Sequence, residues 1–239
     1  MLAENRSQKV VQVIVVLDDK NDPAPRNEVL ANVAKASVAA FHEHYDAGRW
    51  NEWLADATTK SVRRAKAKEF AKILELDLEH VVINDHAVAF VPMSYEELPR
   101  ELMKTQVSGM NTFDDDGDFY DIVRTPKHRA EVIDSINTMD DLLLNHEPVR
   151  AVSIIVNDNL EMTTGKMAAQ VAHALFAAFR AMPLAYRIEF AHRGYPVHLI
   201  HDNGSTPMLM DLSAPRVRHV VRDNGVTEIP AGSVTALVL

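Results

Sequence analysis

The sequence predicts an α/β protein: two copies of a small mixed-sheet domain with helices on both faces. Three observations carry this. Two continuous β-branched runs, 11–17 and 152–156, end in Asp18-Asp19 and Asn157-Asp158-Asn159, as buried strands do. Each run leads into an apolar pattern of helical period: Leu30, Val33, Ala34, Val38 and Phe41 in the first, and Ala168, Val171, Ala172, Leu175 and Phe179 in the second. The two patterns align without a gap at an offset of 138, which pairs Ala31-Asn32-Val33-Ala34 with Ala169-Gln170-Val171-Ala172. The same offset pairs residues 82–85 with 220–223, as an internal duplication would.

Along the chain, residues 1–110 form the first repeat. Residues 111–149 form an acidic linker, with a helix possible over 126–145 on Ala130, Val132, Ile133 and Ile136. Residues 150–239 form the second repeat. After its long helix this copy is expected to continue with a strand over 195–200, a short helix over 206–212 and a strand over 217–221. A turn at Asp223-Asn224-Gly225 and a strand over 234–239 complete it. Alternating strands and helices imply a parallel or mixed sheet covered by helices.

With 239 residues, 47% hydrophobic and 25% charged, the chain has the composition of a globular protein rather than of a collagen, a coiled coil or a disordered segment. It has no uncharged apolar run of about 18 residues and no basic-then-apolar N-terminus, so a soluble cytoplasmic protein with no membrane association is expected. The absence of cysteine excludes disulfides, thiolate nucleophiles and thiolate metal sites. Eleven histidines show no metal-ligand spacing: His42 and His44 are two apart, and His198 and His201 lie at a strand end. No metal or organic cofactor is implied. The net charge of −9 is uneven: residues 1–149 hold 17 Lys+Arg against 27 Asp+Glu, and residues 150–239 hold 8 against 7. A long groove reading many phosphates is disfavoured, whereas a small site for one or two phosphates is not.

The candidate chemistry lies in the second copy. Thr164-Gly165-Lys166 turns a strand into a helix, whose N-terminal N–H groups suit a phosphate or an oxyanion. It is not a phosphate-binding P-loop, because Met167 stands where Ser or Thr would bind magnesium. Lys166, Gln170 and His173 form one narrow helical stripe almost opposite the apolar face, which would equally suit an ordinary solvent-facing surface. Asp223 follows a strand end, the rim where ligands sit in open α/β sheets, although it could equally serve the turn that Gly225 completes. Thr227, Ser233 and Thr235 could add hydroxyls. If the two strands are parallel neighbours, Lys166 and Asp223 emerge on one rim, each favouring the other's charged state, and each would be removable with the thermal midpoint nearly unchanged.

Residues 160–174 (LEMTTGKMAAQVAHA) and 223–235 (DNGVTEIPAGSVT) resemble the type 2 peptidyl-tRNA hydrolases, over roughly residues 150–239. The family pattern is a Leu-x-Met-Gly-x-Gly-Lys turn into an Ala-Ala-Gln-x-x-His-Ala helix, followed by Asp-Ala-Gly-x-Thr and Gly-Ser-x-Thr. Asn157, Asn159, Thr163, Asn224 and the order Pro230-Ala231 depart from it. The resemblance implies catalysis by Lys166, Asp223, Thr227 and Thr235, with Gly165, Gln170, His173, Gly225 and Ser233 binding substrate. It implies hydrolysis by water of the ester joining a peptide to the 3′-terminal ribose of tRNA, with peptidyl-tRNA as partner. Lys166 would either bind phosphate or stabilise the oxyanion. The N-terminal copy resembles the same fold without the site: Glu28 stands opposite Lys166, Lys35 opposite His173, and only Asp85 survives. The two-part layout, with Gln106-Val107-Ser108-Gly109 before the linker, resembles a long bacterial form of the family. Family members are usually dimers, so the resemblance implies that the catalytic copy and the degenerate N-terminal copy are arranged as a pseudo-dimer within the chain, which would be a monomer or weak homo-oligomer. A non-catalytic tRNA- or protein-binding module and an esterase for small substrates are the alternative readings.

Overall fold

The computed structural model describes residues 9–114, 119–120, 150–202, 212–213, 215–225 and 228–239. The expected helix over 126–145, nearly all of that over 206–212, and Thr227 lie outside the described residues.

In the N-terminal half, β1 (Val10–Leu17) is followed by the short β2 (Ala24–Pro25) and the long α1 (Arg26–Glu43). Then come α2 (Trp50–Ala55), β3 (Lys60–Ala65), α3 (Ala67–Leu74), β4 (His80–Ile83), β5 (Ala87–Phe90), β6 (Met93–Ser94), α4 (Arg100–Met103) and β7 (Thr112–Phe113). The two-residue β8 (Phe119–Tyr120) precedes the C-terminal half. That half comprises β9 (Val152–Asn157), α5 (Thr164–Ala181), α6 (Leu184–His192), β10 (Val197–Asp202), β11 (His219–Arg222) and β12 (Val234–Val238).

Both halves build a mixed sheet on one plan. The first sheet runs β3-β1-β5-β4, with β1 parallel to β3, β5 antiparallel to β1 and β4 antiparallel to β5. The second runs β10-β9-β12-β11 with the same senses, and β8 extends it beyond β10. The long helices occupy 26–43 and 164–181, so their ends differ by the 138 residues read from the sequence. The expected strand over 195–200 begins later, at Val197, because Tyr195 adopts a left-handed backbone (φ 57°) that a strand cannot contain.

In the N-terminal half the sheet is covered on both faces. Val11, Val13 and Val15 point to one side and meet Phe70, Ile73 and Leu102 of α3 and α4; Ile14 and Val16 point to the other, toward α1. In the C-terminal half Ile154 and Val156 pack with α5, while Ile155 and Leu237 are buried on the opposite face.

One hydrophobic core runs through both halves, because α1 packs on α5. Helix α1 is buried all round, including Asn32, Lys35 and Ser37, since one side meets its own sheet and the other meets α5. Its alanines let the helices approach, and aromatic rings fill the C-terminal ends. Phe41 packs edge-on to Phe176 with ring centres 5.0 Å apart, and Trp53 to Phe176 at 5.1 Å. At the other end Thr112, just past the linker boundary, places its hydroxyl 3.2 Å from that of Thr164. No helix among the described residues is long and apolar enough to cross a membrane.

Candidate active site

The first turn of α5 delivers Lys166, and the segment after β11 delivers Asp223. Thr163 caps the helix, its hydroxyl accepting from the Lys166 N–H at 3.4 Å. Asp223 is fixed by its own backbone, donating to the Ser233 carbonyl (3.0 Å) and accepting from the Gly232 N–H (2.7 Å). The Lys166 amine donates to Asp223 Oδ1 in an ion pair whose side chains are only 14% and 4% exposed. The strands that lead to the two residues are not neighbours, since β12 lies between β9 and β11, and the pair is enclosed rather than solvated, so removing either partner should cost stability.

A polar row continues up the helix. Gln170 Nε2 donates to Asp223 Oδ1 (3.3 Å), and the fully buried Thr235 donates to Gln170 Oε1 (2.8 Å). Gly225 donates its N–H to Asp223 Oδ2 (2.8 Å), so three donors hold the carboxylate. Glycine is required there: φ is +72° and an added Cβ would lie 2.4 Å from the Cβ of Ala231. Ser233 is half-buried and contributes its carbonyl to Asp223.

His173 ends the stripe, turned toward the N-terminal half rather than toward Asp223. Its Nδ1 lies 3.3 Å from the amine of Lys60, which sits 4.5 Å from the Trp53 ring centre and 4.9 Å from that of Phe176. Burial first, and then the charges of Lys60, Lys166 and His219, hold His173 well below the usual imidazole range. The stripe is therefore covered by β3 and α2. Gly165 likewise meets the N-terminal half: a Cβ there would touch the Val107 carbonyl at 3.4 Å and the Met110 methyl at 3.5 Å. Arg64 and Asp18 hold that covering segment. Arg64 bonds the side chain of Gln106 and the carbonyl of Ser108, and Asp18 receives the Asn111 N–H at 2.7 Å.

The start of α5 already carries an anion. Glu228 accepts from the N–H and the hydroxyl of Thr163, both at 2.8 Å. The motif departures are accommodated in the same way: Asn157 donates to the Val234 carbonyl (2.8 Å) and Asn159 to that of Asp202 (3.1 Å), tying strand ends together. In the N-terminal half Glu28 faces His86 at 3.9 Å, and Asn32 accepts from Asn84 (2.8 Å). Burial pushes the Lys35 amine down to about 8, against the pull of Glu28. Among the described residues no cluster of three or more His, Cys, Asp or Glu could hold a metal.

Sequence reasoning identified Lys166, Asp223, Gln170 and Thr235, which the fold joins in one network. It missed Lys60, more than a hundred residues away with no local pattern, and Glu228, which lay inside a quoted motif without an assigned task.

Residues 151–239 match the family model described as peptidyl-tRNA hydrolase PTH2. A probable peptidyl-tRNA hydrolase 2 of Caenorhabditis elegans is 36% identical over 93 residues, 35% of this chain. The chain spans 29% of that relative's length. No solved structure matches the chain.

Proposed function

We propose, from a C-terminal segment of the peptidyl-tRNA hydrolase PTH2 family, that the chain hydrolyses the ester between a peptide and the 3′-terminal ribose of tRNA. The observation that carries the reading is the enclosed Lys166–Asp223 pair with Gln170 and Thr235 behind it. An ammonium at a helix start is suited to charge that develops on the carbonyl oxygen as water attacks. In this reading Asp223 orients or deprotonates that water and holds Lys166 in register, while Gln170 and Thr235 fix the carboxylate from behind. Thr227 would add a hydroxyl to the substrate, with Gly165, Gly225, His173 and Ser233 shaping the site. The resident Glu228 supports giving Lys166 the oxyanion rather than a phosphate at the helix N-terminus, because its carboxylate already lies against the helix cap, on the Thr163 N–H and hydroxyl.

Residues 150–239 would be the catalytic domain, 1–110 its degenerate repeat and 111–149 the connection. The shared strand order and the 138-residue helix offset support a duplication, and the α1–α5 packing supports a pseudo-dimer within the chain. A translation-linked substrate supports a cytoplasmic location. The test is hydrolysis of peptidyl-tRNA by the full chain beside Lys166→Met and Asp223→Asn. Turnover that both substitutions abolish is expected. Binding of tRNA without turnover would instead establish the non-catalytic module.

A further inference from the structure

Lys60 lies outside the matched segment, yet its amine reaches the helix that carries the site. It stands 3.3 Å from His173 Nδ1, packed between the rings of Trp53 and Phe176. No carboxylate among the described residues pairs with it, and none offsets its burial. His219, at the exposed start of β11, a strand packed on α5, lies near enough to act on His173, and burial holds it below the usual imidazole range. Lys60 and His173 from the two halves thus meet, with His219 on the adjoining strand and no acid paired with Lys60 among the described residues, while the buried Asp223 is committed to Lys166 at the other end of the stripe. Seven residues of helix separate Lys166 from His173, a rise of about 10 Å. Such a span fits a substrate whose reacting ester and nearest backbone anion are one nucleotide apart.

We propose that Lys60, His173 and His219 form a subsite for a phosphodiester group of the nucleotide end of the substrate, with the N-terminal half supplying its principal cation. The proposal rests on the hydrolase reading for its ligand. Lys60 donates to His173 Nδ1, which leaves the imidazole neutral with its proton on Nε2, a second donor toward an anion. Although the Lys60 residue is only partly buried, its amine is the deep end, and burial pushes it down to about 7. An arriving phosphodiester restores the charge, so the subsite strengthens as pH falls through that value. The groups that face it are the Trp53 and Phe176 rings, His173, and beyond that His219 and Lys166. The phosphodiester does not titrate in this range, His173 stays neutral, and burial holds His219 below the usual imidazole range.

The test compares N-acetylphenylalanyl esters of adenosine, which has no phosphate, and of cytidylyl-adenosine, which has one phosphodiester. Assays use the full chain and its Lys60→Met, Lys60→Arg and His219→Gln variants. A lost charge-assisted contact should lower kcat/KM for the dinucleotide ester relative to the adenosine ester by about 10- to 100-fold in Lys60→Met, chiefly through KM. Lys60→Arg should restore most of it, and His219→Gln should lose a smaller part. The wild-type preference for the dinucleotide should grow from pH 8 to pH 6, and that of Lys60→Arg should grow much less, through His219 alone. Equal losses on both esters in Lys60→Met overturn the subsite. Should wild type hydrolyse neither ester, the hydrolase reading fails, and the subsite is judged by ring NMR signals of His173 and His219 during titration with inorganic phosphate. Shifts in wild type that Lys60→Met abolishes support it, and unmoved signals overturn it.

Discussion

Replacing Lys166 by Met separates stability from chemistry. The substitution keeps a long side chain but strands the Asp223 carboxylate, 4% exposed, with Gln170 and the Gly225 N–H as its remaining donors. Removing one partner of a buried ion pair costs about 3–5 kcal/mol. The 14% exposure of Lys166 and the two surviving donors place this case at the lower end, about 3 kcal/mol. For a chain of this size that corresponds to a fall of about 6–12 °C in Tm. Asp223→Asn made in the same chain removes the stranded charge and should return about 1–2 kcal/mol. Turnover behaves otherwise: loss of a donor aimed at transition-state charge costs about a hundred- to a thousandfold, and the second substitution should recover none of it. Thermal melts and peptidyl-tRNA cleavage on both variants check the pattern. A Lys166→Met protein that melts within about 2 °C of wild type, or a double variant that regains activity, would refute the reasoning.

Gly225→Ala should displace the 223–233 loop, because the new Cβ would lie 2.4 Å from that of Ala231; about 1–3 kcal/mol of stability and about a hundredfold in turnover should go with it, and intact kinetics would contradict the crowding. Lys60 binds its proton more weakly folded than unfolded, so its burial penalty is complete below about pH 7 and is relieved as pH rises toward the ordinary lysine value. Lys60→Met should therefore raise Tm over wild type by more at pH 7 than at pH 10, and a margin independent of pH would count against the burial. Phe41→Ala empties the aromatic contact between α1 and α5 and should cost about 3–5 kcal/mol in a single transition followed by probes in both halves. Two separate transitions would disprove the shared core.

Much of this arrangement was legible because it is written in local period. The β-branched runs became β1 and β9, and the helical patterns became α1 and α5 with their offset intact. The Lys166 and Asp223 positions followed from a helix start and a strand end meeting at one rim. What eluded the sequence was coverage. A polar stripe of Lys166, Gln170 and His173 has the same spacing whether it faces water or another layer, and only the tertiary packing places β3 and α2 over it. The covering segment around Val107 and the Lys60 amine belong to the other half, beyond any window of helical period. Glu228 was hidden differently, because its partner is the cap of a helix 65 residues earlier.

The aromatic seam between Phe41 and Phe176 closes within one polypeptide, so its formation is a first-order event. Mass action, which makes the integrity of an associated dimer depend on subunit concentration, does not govern this seam. Dilution cannot part Lys60 from His173, and the ratio of covering half to site is fixed at one by synthesis. Such a chain keeps the same fraction of assembled sites however scarce it becomes.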